Sequence, residues 1–129
     1  MSTELEILTW TIVVGLVQVV LATVFSVRER GLPWALSPRD DPGRPLGTAP
    51  SRLQRAQTNF LETFPFFAAA VLIADALDVH TTATVVGAHL YLWARVLYIP
   101  AYALGIPVAR TLIWAASVVG IVLILVALA

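Results

Sequence analysis

Four long apolar segments dominate the sequence, and they restrict the fold to helices that cross a membrane. A helix needs about 20 mainly apolar residues to span the hydrocarbon core of a bilayer. The segments, each of about this length, are residues 5–27, 51–77, 81–102 and 107–128. Because the chain has only 129 residues, of which 59% are hydrophobic, it has room for one compact domain. The sequence therefore predicts an all-α integral membrane protein, a four-helix bundle with up-down topology formed by residues 1–129.

The segment between the first two predicted helices, residues 28–50, is rich in Pro, Gly, Arg and Asp. It contains too many helix breakers for a span or a long helix, which indicates a polar loop. Ser51 followed by Gln54 predicts a capping box at the start of the second helix. Single glycines at positions 15, 87 and 120 are predicted to permit close contacts between helices.

The charged residues differ in sign between the two ends of the predicted bundle. All the basic residues are arginines, and they map to the loop 28–50 and to the helix ends on the same side. The opposite side carries Glu4, Glu6, Asp75, Asp78 and His80. Since basic residues concentrate on the cytoplasmic side of membrane proteins, this pattern predicts an arginine-rich face in the cytoplasm and both termini outside.

The absence of cysteine excludes a disulfide, a thiolate metal site and a cysteine nucleophile. Any thiol chemistry must therefore use a thiol that a ligand brings. The two histidines, His80 and His89, fall at a turn and in mid-helix without a shared set of ligands, so no metal site is expected. No nucleic-acid partner is expected either.

Helical spacing places polar side chains in two stripes that descend from the arginine-rich side. Residues three, four and seven positions apart share one face of a helix. The stripe of the second segment consists of Arg52, Arg55, Asn59 and Glu62, and that of the third consists of Tyr91, Arg95, Tyr98 and Tyr102. Arg110 at the start of the fourth helix, and Arg28 or Arg30 at the end of the first, add further positive charge.

These stripes have several interpretations. Ionisable groups inside a membrane are costly unless they are paired or hydrated, and they therefore indicate a functional site. Alternatively, arginines such as Arg39 and Arg44 only set the topology, and the tyrosines belong to the interfacial aromatic belt. A further alternative is a structural salt-bridge network of Arg55, Asn59, Glu62 and Arg95 that locks the helices together.

The balance of charge favours a ligand. Several arginines face a single carboxylate, Glu62, so that internal pairing leaves guanidinium groups without partners. The planar guanidinium group suits bidentate binding of carboxylates. A small polyanion with one cationic group for Glu62 would complete the site, and glutathione, with two carboxylates, one ammonium group and a thiol, fits this description.

Two stretches resemble a known family: "RAQTNFLETFPFF" in the second segment and "ARVLYIPAYALGIPVART" across the third and fourth. They are similar to the MAPEG family, the membrane-associated proteins of eicosanoid and glutathione metabolism. Within it they resemble a bacterial branch, the microsomal glutathione transferases and the leukotriene C synthases. The resemblance implies a homotrimer in a bacterial inner membrane, with glutathione bound as co-substrate between subunits near the cytoplasmic face.

The resemblance also assigns roles to residues. It implies that Arg55, Asn59 and Glu62 bind the peptide part of glutathione, with Glu62 on the amine and Arg55 on a carboxylate. The other positions that it brings to the glutathione site are Arg28, Gln57, Arg95, Tyr98 and Tyr102, and the balance of charge adds Arg52. Arg110 resembles the arginine that stabilises the thiolate, and Tyr98 or Tyr102 would assist it. Thr58 and Thr63 depart from the family's pattern beside the asparagine and the glutamate.

The function implied is a membrane glutathione transferase or peroxidase. A thiol has an unperturbed pKa of about 8.5, and a neighbouring guanidinium group lowers it and favours the nucleophilic thiolate. The thiolate would attack a lipophilic electrophile, or a lipid hydroperoxide, that arrives from the bilayer, a detoxification reaction. The alternative is a non-catalytic lipid-binding or scaffold protein of the same fold, like the lipoxygenase-activating protein of this family.

Overall fold

The computed structural model describes all residues, 1–129, and consists of helices joined by turns and one longer segment, residues 37–47, without strands. The helices are α1 (Thr3–Arg30), α2 (Leu32–Leu36), α3 (Thr48–Ala76), α4 (Thr82–Ala103) and α5 (Pro107–Leu128). This confirms the all-α fold that the apolar segments predict. The four long helices lie on the four predicted segments, and the short α2 is an addition within the loop 28–50.

The long helices pack side by side, each antiparallel to the one before it in the chain. Helix α4 contacts α1, α3 and α5, whereas α1 and α5 do not touch each other. Helices α4 and α5 approach most closely at two glycines: a Cβ atom on Gly87 would lie 2.5 Å from the carbonyl oxygen of Gly120. A Cβ atom on Gly15 would lie 2.9 Å from the Phe60 ring. The predicted close contacts at these three glycines are confirmed.

The protein core lies where α3, α4 and α5 meet. Phe67, Val71, Ala88, Tyr91 and Ile124 have no exposed surface. The rings of Phe67 and Tyr91 stack with their centroids 4.1 Å apart, and the Tyr91 hydroxyl lies 2.9 Å from Oγ1 of Thr63. Tyr91 is therefore a core residue that joins α3 to α4, and it does not belong to an interfacial aromatic belt.

Three helices, α1, α3 and α5, are long and apolar enough to cross a membrane. Large apolar side chains on these helices are exposed, among them Leu16, Val20, Leu72 and Val126. Exposed apolar surface of this extent suits contact with lipid. Helix α4, with 22 residues, is long enough to span but carries Arg95, His89 and three tyrosines.

The capping box predicted at Ser51 and Gln54 is wrong, because α3 begins earlier, at Thr48. The N-cap residue is Gly47, and its backbone N–H donates to the Glu29 carboxylate at 2.6 Å. Pro50 does not prevent this early start, because the first turn of a helix tolerates proline. A glutamate at the end of α1 thus accepts from the N-cap N–H, the role that a side chain of the same helix has in a capping box.

Candidate functional site

The eight arginines all lie in one half of the molecule, which we call the arginine-rich end. It comprises the C-terminal end of α1, the segment 31–47, the N-terminal end of α3, the C-terminal half of α4 and the N-terminal end of α5. Every salt bridge within the chain involves His80, at the opposite end. No arginine is paired with a carboxylate, and the structure therefore does not contain the salt-bridge network considered from the sequence.

Tyr102 is the point where three helices bring their polar groups together. The Cζ atom of Arg110, on α5, lies 4.7 Å from the centroid of the Tyr102 ring, and that of Arg55, on α3, lies 5.7 Å from it. The rings of Tyr98 and Tyr102 are tilted, with centroids 5.5 Å apart. Guanidinium groups at these distances interact favourably with an aromatic face, by about 0.5–1 kcal/mol at an exposed site. We call Arg55, Tyr98, Tyr102 and Arg110 the tyrosine cluster.

Arg95 lies beneath this cluster and has no exposed surface. Its Nη1 atom donates to Oδ1 of Asn59 at 2.9 Å. Its Cζ atom lies 4.2 Å from the centroid of the Tyr98 ring and 5.7 Å from that of Phe60. The predicted stripes of α3 and α4 therefore meet through Asn59, Arg95 and Tyr98, and a full positive charge sits between them without a counter-ion.

Arg52 contacts the end of α4. Its Nη1 atom donates to the carbonyl oxygen of Ala103 at 3.2 Å, one of the carbonyl groups that a helix C-terminus leaves unsatisfied. The guanidinium group lies over Gly105, where φ is 70° and a Cβ atom would be 2.8 Å from Cζ of Arg52. The backbone conformation favours glycine at this position, and a side chain there would displace the Arg52 guanidinium group from its place beside the end of α4. Arg52 thus has a structural contact of its own.

The four residues of the α3 stripe do not share one environment. Arg52 and Asn59 are half-buried and reach toward α4, whereas Arg55 and Glu62 are exposed on the flank of the protomer. Glu62 has no ion pair within the chain. The carboxylate expected to bind a ligand amine is therefore free in the single chain.

Gln57 faces away from the tyrosine cluster, toward α1. With Gln54, Arg30 and Arg39 it lines a polar cavity of about 210 Å³ next to Trp34. The guanidinium groups of Arg30 and Arg39 lie 4.8 and 5.1 Å from the centroid of the Trp34 ring. Arg28 is exposed and does not line this cavity. At the end of α1, Arg30 thus lies near Gln57. No pattern in the sequence marks Arg39 or Trp34 as a site residue.

A second polar cluster, which no motif in the sequence indicates, lies at the opposite end. The buried Glu4 accepts hydrogen bonds from Oγ1 of Thr84 at 2.6 Å and pairs with Nδ1 of His80 at 3.2 Å. Nε2 of His80 lies 3.3 Å from Asp78 and 3.9 Å from Asp75. We call these five residues the Glu4 cluster. No group of three or more His, Asp or Glu side chains in the structure has an arrangement that could hold a metal ion.

An apolar groove runs between α1 and α4, away from the tyrosine cluster. Its volume is about 420 Å³, and its walls include Ile7, Trp10, Leu92 and Trp93. Trp10 and Trp93 are largely exposed, and the indole N–H of Trp93 donates to Nδ1 of His89 at 3.3 Å. The groove opens onto the part of the surface where exposed apolar side chains lie.

Comparison with known proteins places the chain in a family. The model of the MAPEG family matches residues 7–129, nearly the whole chain. No curated protein and no solved structure matches the sequence. Membership of this family indicates a membrane function related to glutathione. With three helices able to span a bilayer, this integral membrane protein belongs to the MAPEG family.

Proposed function

We propose that the protein is a membrane-bound glutathione transferase that activates the thiol of glutathione for attack on lipophilic electrophiles. The observation that carries the proposal is the pair of guanidinium groups, of Arg55 and Arg110, on the Tyr102 ring with no carboxylate partner. Two unpaired cations at one place favour an anionic ligand, and arginine binds carboxylates in a bidentate manner. Glutathione supplies two carboxylates, and its ammonium group suits the free Glu62.

The division of the predicted residues between two faces of α3 supports a site between subunits. Arg55, Tyr98, Tyr102 and Arg110 form one group, whereas Gln57 and Arg30 form another on the α1 side. A homotrimer in which the α1–α3 face of one subunit meets the α4–α5 face of its neighbour would bring both groups to one ligand. In this arrangement all four long helices form a membrane-spanning four-helix bundle. The site then faces the cytoplasm of a bacterial cell, and both termini lie on the periplasmic side of its inner membrane.

The chemistry follows from Arg110. A guanidinium group beside the sulfur stabilises the thiolate, and the proton of the thiol leaves to solvent. The sulfur then forms a bond to an electrophilic carbon, and the leaving group departs with its electron pair. Tyr98 and Tyr102 donate hydrogen bonds to the thiolate or to the leaving group. With a lipid hydroperoxide, the same thiolate attacks oxygen, and two glutathione molecules are oxidised to the disulfide while the hydroperoxide becomes an alcohol and water.

Calorimetry with glutathione on detergent-purified protein tests the proposal. We expect saturable binding by the wild type and loss of binding in Arg55→Ala and in Glu62→Ala, because each substitution removes one ionic contact to the tripeptide. Arg44→Ala is the matched control: it removes the same charge from an exposed loop residue whose side chain has no partner, and its affinity should equal that of the wild type. Absence of binding by folded wild-type protein would refute the proposal.

The apolar groove between α1 and α4 favours a second candidate, a non-catalytic lipid-binding or scaffold protein. A groove of about 420 Å³ with mainly apolar walls suits an acyl chain better than a polar tripeptide. If the folded protein retains lipid through purification, as mass spectrometry would show, but does not bind glutathione, this second function is the correct one.

A further inference from the structure

Gln18 is a polar side chain buried in the middle of the apolar helix α1. Only 5% of its surface is exposed, and neither Oε1 nor Nε2 has a hydrogen-bond partner. Thr11, buried on the same helix, differs because its hydroxyl group donates to the carbonyl oxygen of Ile7 at 2.7 Å. A buried amide without partners is unfavourable, since it loses its hydrogen bonds to water. Gln18 therefore needs a polar partner on a neighbouring helix.

Arg95 has buried hydrogen-bond donors that lack an acceptor. Its Nη1 atom donates to Asn59, but its Nε and Nη2 atoms are buried and have no partner. Both atoms are donors, whereas Oε1 of Gln18 is an acceptor. The two unsatisfied side chains thus match in hydrogen-bonding type.

The packing brings the two residues to the same depth. Helices α1 and α4 run parallel, and Glu4 bonds to Thr84 at one end. Gln18 follows Glu4 by 14 residues, and Tyr98 follows Thr84 by the same number. Gln18 is therefore level with Tyr98 and within one turn of Arg95. Phe60 supports this register, because its ring contacts Gly15 on α1 and also lies near the Arg95 guanidinium group.

The packing restricts the helices on which a partner of Gln18 can lie. Helix α1 touches α2, α3 and α4 but not α5, so the buried face of Gln18 is directed at the helices that carry Asn59 and Arg95. Neither Gln18 nor Arg95 lines any of the four cavities of the molecule. An organic ligand therefore has no room between them.

We infer that Gln18 is a positioning residue: its amide oxygen accepts a hydrogen bond from Nε or Nη2 of Arg95, either directly after a rotation of the side chain or through one ordered water molecule, because neither side chain has a partner in the conformation described. Together with Asn59 it fixes the guanidinium group against the Tyr98 ring and joins α1 to α3 and α4. The consequence for ligand binding rests on the proposed function, since Tyr98 belongs to the proposed glutathione site.

A double-substitution experiment tests the hydrogen bond without any ligand. The thermal unfolding midpoint is measured in detergent for the wild type, Gln18→Leu, Arg95→Met and the double variant. We expect Gln18→Leu to lower the midpoint by several degrees in the wild type, because it leaves Arg95 with one partner fewer. In the Arg95→Met background the same change should leave the midpoint unchanged or raise it, since the partnerless amide is then removed. An equal loss in both backgrounds would overturn the inference.

Thr11→Val is the matched control, because the Thr11 hydroxyl is hydrogen-bonded within α1. The effect of this substitution on the unfolding midpoint should be the same with and without Arg95. If Gln18→Leu alone does not fold, rescue of folding by Arg95→Met supports the inference, and failure of the double variant to fold contradicts it. Gln18→Asn, with an amide one methylene shorter, distinguishes a water-bridged bond, which it keeps, from a direct one, which it loses.

Glutathione calorimetry then separates this inference from the proposed function. Gln18→Leu should weaken binding several-fold while Thr11→Val leaves it unchanged, an outcome that a purely structural role of Gln18 would not produce. If the wild type does not bind glutathione, the proposed function fails, but the dependence of Gln18→Leu on Arg95 still decides whether the two residues interact.

Discussion

The two ends of the molecule differ in whether their charged side chains have charged partners within the chain. At one end, the buried carboxylate of Glu4 is bonded to Thr84 and to His80. At the arginine-rich end, no arginine has a carboxylate partner, and guanidinium groups instead lie over tyrosine and tryptophan rings. The first end satisfies its charge within the chain, whereas the second leaves positive charge available.

This difference separates an end whose charged groups are paired within the chain from the end at which we propose a ligand. A buried charge without a partner is costly, so a chain that keeps one must gain from it elsewhere. The Glu4 cluster stabilises the fold, because it joins the start of α1 to the start of α4. Arg95, buried beneath the tyrosine cluster, has no counter-charge within the chain, and the anion that we propose between subunits would supply one.

The largest expected effect is that of Arg110→Leu on catalysis. If Arg110 stabilises the thiolate, its loss should lower the rate of glutathione conjugation by about 100-fold, the usual effect of removing one electrostatic stabiliser. The pKa of the bound thiol should rise, because the anion loses its neighbouring cation, and the pH at which the rate reaches half its maximum should rise with it. Conjugation of 1-chloro-2,4-dinitrobenzene, followed by absorbance between pH 6 and 9, measures both.

Arg44→Leu serves as the control for Arg110→Leu, since it removes the same charge from the exposed loop. Its pH–rate profile should coincide with that of the wild type. A lower rate in Arg110→Leu without a shift in the profile would mean that Arg110 only holds the helices or the ligand, and would weaken the contrast between the two ends.

Glu4→Leu should have the next largest effect, and on stability alone. The substitution removes the buried carboxylate that accepts from the Thr84 hydroxyl and pairs with Nδ1 of His80, and we expect a loss of about 2 kcal/mol in the free energy of unfolding. Glutathione affinity should not change, because the Glu4 cluster lies at the far end. Tryptophan fluorescence during denaturation in mixed micelles measures the stability, and the exposed Glu6 provides the matched control, Glu6→Leu. A change in glutathione affinity would contradict the separation of the two ends.

The sequence predicts the fold well because membrane helices depend on local composition. Each apolar segment must satisfy its own backbone hydrogen bonds, so its length and position specify a helix without knowledge of its neighbours. The same holds for the spacing of Arg95, Tyr98 and Tyr102, which places them on one face of α4. The arginine-rich end is predictable for this reason.

Contacts between distant residues are not predictable in this way. The hydrogen bond of Glu4 with Thr84 joins residues 80 positions apart, and nothing in either local pattern indicates it. Gln57 lies in the same motif as Arg55 and Asn59 but faces α1, because neighbouring positions of a helix point in different directions. The start of α3 was missed since its cap comes from Glu29, on another helix.

His80→Gln should have the smallest effect, and it sharpens the comparison through its dependence on salt. About one third of the His80 side chain is exposed, and Asp78 is almost fully exposed, so solvent screens these ion pairs. We expect a loss of about 0.5 kcal/mol in the free energy of unfolding at low ionic strength and pH 5, where histidine side chains are ordinarily charged, within the range of partly exposed pairs. This loss should disappear in 1 M NaCl, where the Debye length is about 3 Å, while the loss in Glu4→Leu remains because a buried hydrogen bond to Thr84 is not screened. Equal salt dependence of the two variants would show that the Glu4 cluster behaves as a surface ion pair. Only the hydrogen bond between Thr84 and Glu4 would then distinguish the end whose charge is paired within the chain from the end whose charge is not.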